Sequence, residues 1–290
     1  MGVYSGAVFD SHVHLWQRGR TPQDWIDPVS MQVIDRDFWF EDLDAVLASN
    51  GVTSAVLVQA SNSRQETRDH LTADLPASVG AIVGWVDLAS ADVAAQIAEA
   101  RALPNGRSLS GIRHLAHMDP DPQWLRTPSV SRGLKELDAA GLSFDLVVTP
   151  GQLADCAAVA SEHPGLTLVL DHLGKPSLRS ENISEWETAL RVLAEFPNVY
   201  AKLSGLTMEA DWESWTVGDI ERAAVIALDC FGPKRLMFGS DWPLVELCGG
   251  YSAWLSAART LTSTLSADEQ AAIFCHTASS AYRFGRSARG

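Results

Sequence analysis

Eight short runs rich in Val, Ile and Leu alternate along this chain with longer segments of helical period, and few topologies accommodate that alternation. The runs cover residues 7–14, 53–59, 79–87, 109–115, 143–148, 166–172, 198–204 and 235–241, with amphipathic stretches such as 40–49, 91–102 and 131–140 between them. Apolar strands separated by helices are what a parallel sheet needs when both of its faces are covered. Eight of them predict an α/β fold closed into a (β/α)8 TIM-type barrel of parallel strands. An open doubly wound sheet would alternate in the same way, but no Gly-rich phosphate loop follows the first run, where such sheets carry one. No Pro, Gly and Ser linker and no low-complexity tract interrupts the pattern, so residues 1–290 read as one barrel domain.

On such a barrel the strand ends form the catalytic mouth, and five segments place polar chemistry there: "FDSHVHLW", "GIRHL", "VLDHLGKP", "YAKLSG" and "FGSDWP". In the first, the strand period of two turns His12 and His14 to one side, a pairing that suits a divalent metal. Asp10 shares their parity and is placed to orient an imidazole. In the third, His172 follows a buried run; counted with Leu168 and Leu170 it faces inward, while Asp171 faces the helices or caps the next one. Asp241 ends the last run and is either a helix N-cap or the general base that activates water. Arg113 and Lys202 are costly to bury, and read as grips on a substrate carboxylate or carbonyl, or as salt bridges closing the barrel. Asp145 lies early in its strand and is a weaker candidate substrate contact from an interior layer. Lys175, in the Gly-Lys-Pro turn, is a further grip. The loops at 15–39 and 205–216 carry Trp16, Trp25, Trp39, Trp212 and Trp215 over the mouth, and Trp16 is a candidate substrate contact. His114 points away from Arg113, and His70, His117, His163 and His276 fall in helical or loop settings expected to be solvated or capping.

A formal charge of −14 without any Lys/Arg run excludes a nucleic-acid surface and disfavours an acidic membrane. The opening "MGVYSGAVFD" has no signal-peptide pattern, and no apolar run is long enough to span a bilayer, so a cytoplasmic protein acting on a small molecule is expected, with a homodimer left open. Cys156, Cys230, Cys248 and Cys275 form no C-x-x-C pair and read as reduced thiols.

Taken together, the order H-x-H, D-H-L-G-K-P, K-L-S-G and G-S-D-W-P resembles the amidohydrolase superfamily. Within it the chain looks like the amidohydrolase-2 branch that includes sugar lactonases, such as L-fuconolactonase and L-rhamnonolactonase, and the pyrone-dicarboxylate lactonase. The likeness runs from "FDSHVHLW" to "IFCHTASSAYRF". It implies a barrel with His12 and His14 on the first strand, His172 on the sixth and Asp241 on the eighth, and it implies hydrolysis. The fourth strand ends in Arg113 where dinuclear members carry a bridging lysine or glutamate, and the fifth offers Asp145 and no histidine. One divalent ion at most is therefore expected, zinc first, on His12, His14 and Asp241 with His172 as a further ligand. A metal-free course, with the histidines and Arg113 stabilising the oxyanion, is the other option. The expected reaction is lactone opening by water, with Asp241 as base and His172 as its catalytic partner. A metal-dependent decarboxylase of the same branch is the alternative.

Overall fold

The computed structural model describes residues 4–180 and 182–283. Eight strands form one sheet in sequence order, all neighbours parallel: β1 (Val8–Val13), β2 (Val52–Val58), β3 (Val79–Gly84), β4 (Leu109–His114), β5 (Ser143–Leu146), β6 (Leu168–Leu170), β7 (Val199–Leu203) and β8 (Leu236–Phe238). The sheet closes where β1 meets the end of β8, through Asp241 N–H to the His12 carbonyl (2.9 Å) and His14 N–H to the Trp242 carbonyl (2.7 Å). This is the expected (β/α)8 barrel.

The helices between the strands include α1 (Phe40–Asn50), α2 (Arg64–Thr72), α3 (Val93–Arg101), α4 (Pro128–Ala140), α5 (Leu153–Glu162), α6 (Ser184–Ala194), α7 (Leu206–Glu209), α8 (Val217–Phe231) and α9 (Tyr251–Leu261). Local chemistry sets their ends. In α4, Thr127 Oγ1 accepts the Val130 N–H, Pro128 occupies the first turn, and Gly141 stops the helix in the left-handed region (φ +66°). The main core lies between barrel and helices, and a smaller cluster of Val56, Val58, Ala81, Val83, Val169 and Met237 fills the barrel interior. Tyr282, directly after a short helix at Thr277–Ala281, joins that inner cluster.

Several predicted strands stop short: the run at 79–87 ends at Gly84 and that at 143–148 at Leu146, and two others end just before site residues. The run at 166–172 ends as a strand at Leu170, because His172 and Leu173 adopt positive φ (54° and 53°) and turn the chain out of the extended region. The run at 235–241 ends at Phe238, and Asp241 likewise has φ +61°. Among the described residues no helix is long and apolar enough to cross a membrane, and Cys156, Cys230, Cys248 and Cys275 are free thiols. The resemblance to myristoylated N-termini at Met1-Gly2, which Gly6 argues against, falls on residues 1–3 and so outside those described.

Gly133 shows how tightly the helical layer sits: a Cβ there would lie 2.2 Å from the Leu88 carbonyl oxygen. Helix propensity alone would make Gly133→Ala stabilising by up to about 1 kcal/mol. The contact reverses the sign, and a loss of about 1–3 kcal/mol is expected. A lowered urea midpoint at unchanged m-value checks it, and an equal or higher midpoint would show that the Leu88 segment yields.

Candidate active site

The H-x-H of β1 does what strand geometry dictates: the two imidazoles lie on one side, with their Nε2 atoms 3.0 Å apart. The far nitrogen of each ring is held. His14 Nδ1 donates to the Val58 carbonyl (2.8 Å), which leaves the Nε2 lone pair free. His12 Nδ1 lies 2.9 Å from Lys202 Nζ and 3.4 Å from Asp171 Oδ1. Lys202 can only donate there and Asp171 only accept, and on the other side of the ring Arg113 Nη1 stands 3.3 Å from Nε2. Asp241 reaches them because its backbone N–H is fixed to the His12 carbonyl; its Oδ1 stands 3.3 Å from His14 Nε2, 3.6 Å from His12 Nε2 and 3.9 Å from His172 Nε2. His172 Nδ1 meets Ser204 Oγ at 2.9 Å. The ring packs against Gly205, where any Cβ would come within 2.5 Å of Nδ1, so only glycine fits.

All four groups are buried. Burial holds the imidazoles neutral: His172 is lowered to about 4, and His12 falls well below its ordinary value, helped by the Lys202 charge. His14 is lowered too, with burial outweighing its contact to Asp241. Burial alone would raise the Asp241 carboxyl, but the charge that a proton on His172, His12 or His14 would bring, with the His14 contact, outweighs it and holds the carboxyl below the usual carboxylate range. Neutral imidazoles beside an ionised carboxylate are the protonation state in which such a set binds a cation.

Several expected roles need correction. Of the two readings of Lys202 the structure shows the salt bridge and not the substrate grip: it is fully buried, and its Nζ is paired with Asp145 (2.7 Å) and Asp171 (2.9 Å). Asp145, expected as a substrate contact, is instead fully buried and does not line the pocket, and its Oδ2 meets Lys202 Nζ and Tyr282 Oη (2.6 Å). Trp16 is buried in its loop, with Nε1 on the Arg36 carbonyl, and the tryptophan that lines the pocket is Trp25. Asp171 faces inward, where Arg113 Nη1 reaches its Oδ2 at 3.0 Å. The inward parity of β6 is that of Val169, so Asp171 follows it, and the positive-φ turn then swings His172 inward as well. Asp10 touches no imidazole; it accepts the backbone N–H groups of His12 (3.0 Å) and Ser240 (2.8 Å) and the Tyr251 hydroxyl (2.7 Å). His70 is buried beside Trp39, not solvated, and His163 caps the end of α5 as expected. His114 lies on the opposite side from Arg113, stacked on Trp124.

Above the floor formed by His14, His172, Asp241 and Arg113 opens a cavity of about 170 Å³. That is below the ~300–1,000 Å³ of sites for drug-sized ligands, so the occupant is small. Its walls include His117, expected to be solvated or capping, and residues the sequence did not single out: Glu209, and an apolar side of Leu115, Met118, Val147, Met208 and Leu244. Lys175, as expected, stands at the mouth, paired with Glu209 at 3.2 Å. Arg113 is held by Asp171 and the Gln59 carbonyl, while its buried Nε has no hydrogen-bond partner among the described residues.

The donor set fits a divalent ion. His12, His14 and Asp241 offer ligand atoms all within 4.8 Å of one another, and Asp241 Oδ1 is buried without a hydrogen-bond partner at the point they surround. A second grouping, His12, Asp171 and His172, meets the same distance but uses a carboxylate already committed to Arg113 and Lys202.

Residues 9–284 match the amidohydrolase family. The chain belongs to that family. It is 36% identical over 282 residues to an L-fucono-1,5-lactonase of Burkholderia ambifaria, covering 96% of each chain. A second L-fucono-1,5-lactonase, of Burkholderia multivorans, is 36% identical over 286 residues, covering 94% of this chain and 95% of that one. The crystal structure of an amidohydrolase from Burkholderia multivorans with bound zinc superposes with a TM-score of 0.88 at 35% identity, covering 96% of this chain and all (100%) of that one. For this amidohydrolase, metal analysis after zinc loading and desalting is expected to give about one ion per chain, the number a single three-residue set can hold. His14→Ala should lose it and Lys175→Ala should keep it; equal zinc in both variants would place the ion elsewhere.

Proposed function

We propose that this amidohydrolase opens the ring of a small sugar-acid lactone by attack of water, with Asp241 as the general base. The observation that carries the reading is the Asp241 carboxylate: buried, ionised, and with an oxygen that has no hydrogen-bond partner among the described residues at the floor of a small pocket. Kinship with lactonases along nearly the whole chain supports the substrate class.

In this reading Asp241 Oδ1 takes a proton from water as the oxygen attacks the lactone carbonyl carbon. Charge that develops on the carbonyl oxygen is met by the unpaired Nε–H of Arg113 and, when no ion occupies the site, by His172, whose ring is fixed through Ser204. The carbon to ring-oxygen bond then breaks, and Asp241 returns its proton to the departing ring oxygen, giving an open hydroxy acid. A divalent ion held by His12, His14 and Asp241, with His172 as a further ligand, supplies Lewis-acid polarisation of the carbonyl when bound. Lys175 and Glu209 offer donors and acceptors to ring hydroxyls, and the apolar side of Leu115, Val147 and Leu244 receives the less polar part of the molecule. The chain works as one barrel domain, in the cytoplasm, on a small molecule.

A panel of sugar-acid lactones followed by acid release tests the proposal, with carbon dioxide release from carboxylated aromatic acids as the control. Lactone turnover without carbon dioxide is expected, and Asp241→Asn should lower kcat/KM by about 10²–10⁴-fold. Full activity in that variant, or decarboxylation in place of hydrolysis, would overturn it.

A further inference from the structure

One buried carboxylate lies outside the reaction centre and has no part in the mechanism. Glu66, on α2, is 2% exposed, and burial pushes it up to about 7 against the pull of the Ser61 and Ala60 N–H groups and the Arg113 charge. Its hydrogen-bond partners are all donors. Oε2 accepts Ala60 N–H (3.0 Å) and Ser61 N–H (3.1 Å), and Oε1 accepts the side-chain amide of Gln23 (3.2 Å). Gln23 is itself buried, 1% exposed, and its carbonyl accepts the Trp25 indole N–H at 2.8 Å.

This chain has a direction. The Trp25 indole N–H can only donate, so the Gln23 carbonyl faces it and the amide nitrogen is left to face Glu66, whose oxygen accepts it. Both ends of the relay reach the pocket. Ala60 and Trp25 line it, and Trp25 is the only Phe, Tyr or Trp ring to do so among the described residues. Its flank is supported by the buried Trp16, edge to face at 5.6 Å. Gln59, next to Ala60, donates its side-chain amide to the Arg113 carbonyl (3.0 Å) and accepts from the Arg113 guanidinium, so the same loop also borders the reaction centre.

We propose that Glu66 and Gln23 are positioning residues that hold the Trp25 ring as the specificity wall of the pocket, where it covers the C–H face of the bound sugar ring. The proposal rests on the lactonase reading for its ligand. Aromatic rings cover such faces while polar groups opposite read the hydroxyls, and here Lys175 and Glu209 supply the polar side. Fixing the ring before binding removes an ordering cost that would otherwise weaken affinity.

The test uses the full chain with Gln23→Leu, Glu66→Gln, Trp25→Phe and the double variant Gln23→Leu/Trp25→Phe. Kinetics on the best lactone are read beside the indole ¹⁵N–¹H resonances, that of Trp25 being the one lost in Trp25→Phe. Each single variant is expected to raise KM about three- to tenfold, the worth of one hydrogen bond, with kcat within about twofold. The double variant should be no worse than the poorer single, because the two share one bond. The Trp25 resonance should move in Gln23→Leu and in Glu66→Gln; should Glu66→Gln not fold, Gln23→Leu decides. Additive effects on KM, an unmoved resonance, or a moved resonance with unchanged KM would each overturn the relay. A wild-type enzyme that opens no lactone would instead sink the function, and the resonances would still report whether the relay holds Trp25.

Discussion

The hydrogen bond from Asp241 N–H to the His12 carbonyl closes the barrel and builds the reaction centre in one step. Beyond Phe238 the chain no longer pairs with β1 as a regular strand. Its contacts there include Asp241 N–H on the His12 carbonyl, His14 N–H on the Trp242 carbonyl, Ser240 N–H on the Asp10 carboxylate and Ser240 Oγ on the His12 carbonyl. Because the donors and acceptors belong to the site residues or their neighbours, closure of the fold sets the distance between the imidazoles and the carboxylate. The left-handed backbone of Asp241, costly for a non-glycine residue, persists because these bonds over-determine it. Asp10 fastens the same seam to α9 through Tyr251.

Below the floor lies a buried network of two cations and two carboxylates: Lys202 between Asp145 and Asp171, and Arg113 on Asp171. Such a network adds little net stability, but removal of one member leaves an uncompensated buried charge. Its contribution to the site is orientation. Lys202 and Asp171 both face His12 Nδ1, so the ring is aimed by groups that never touch the pocket. Glu66 does the corresponding work for the walls, through backbone on one side and Gln23 on the other.

Much of this was legible in the amino-acid order. The eight strands, their parallel arrangement and the shared side of His12 and His14 follow from periods of 2 and 3.6, which are properties of the backbone. His172 and Asp241 were legible as polar groups at the ends of apolar runs. Their neighbours were less so. Asp171 was assigned to the wrong side because the parity of β6 was counted through a turn that leaves the extended region. Trp16 and Trp25 share one loop and one chemistry, and only the fold of that loop buries the first and sets the second on the pocket. His117 lacked any periodic context, since the segment after β4 folds back over the mouth as a short 3-10 turn.

The sequence by itself determined the barrel and the chemical types at its strand ends, because strand period and apolar burial act within each segment. Which of those groups meet substrate and which only hold their neighbours was decided by the tertiary structure. Arg113, Lys202, Asp145 and Asp171 are alike in being charged and buried, and their roles differ only through partners brought from other strands. Electrostatic pairing falls off with distance through space and takes no account of separation along the chain, so no local pattern records it.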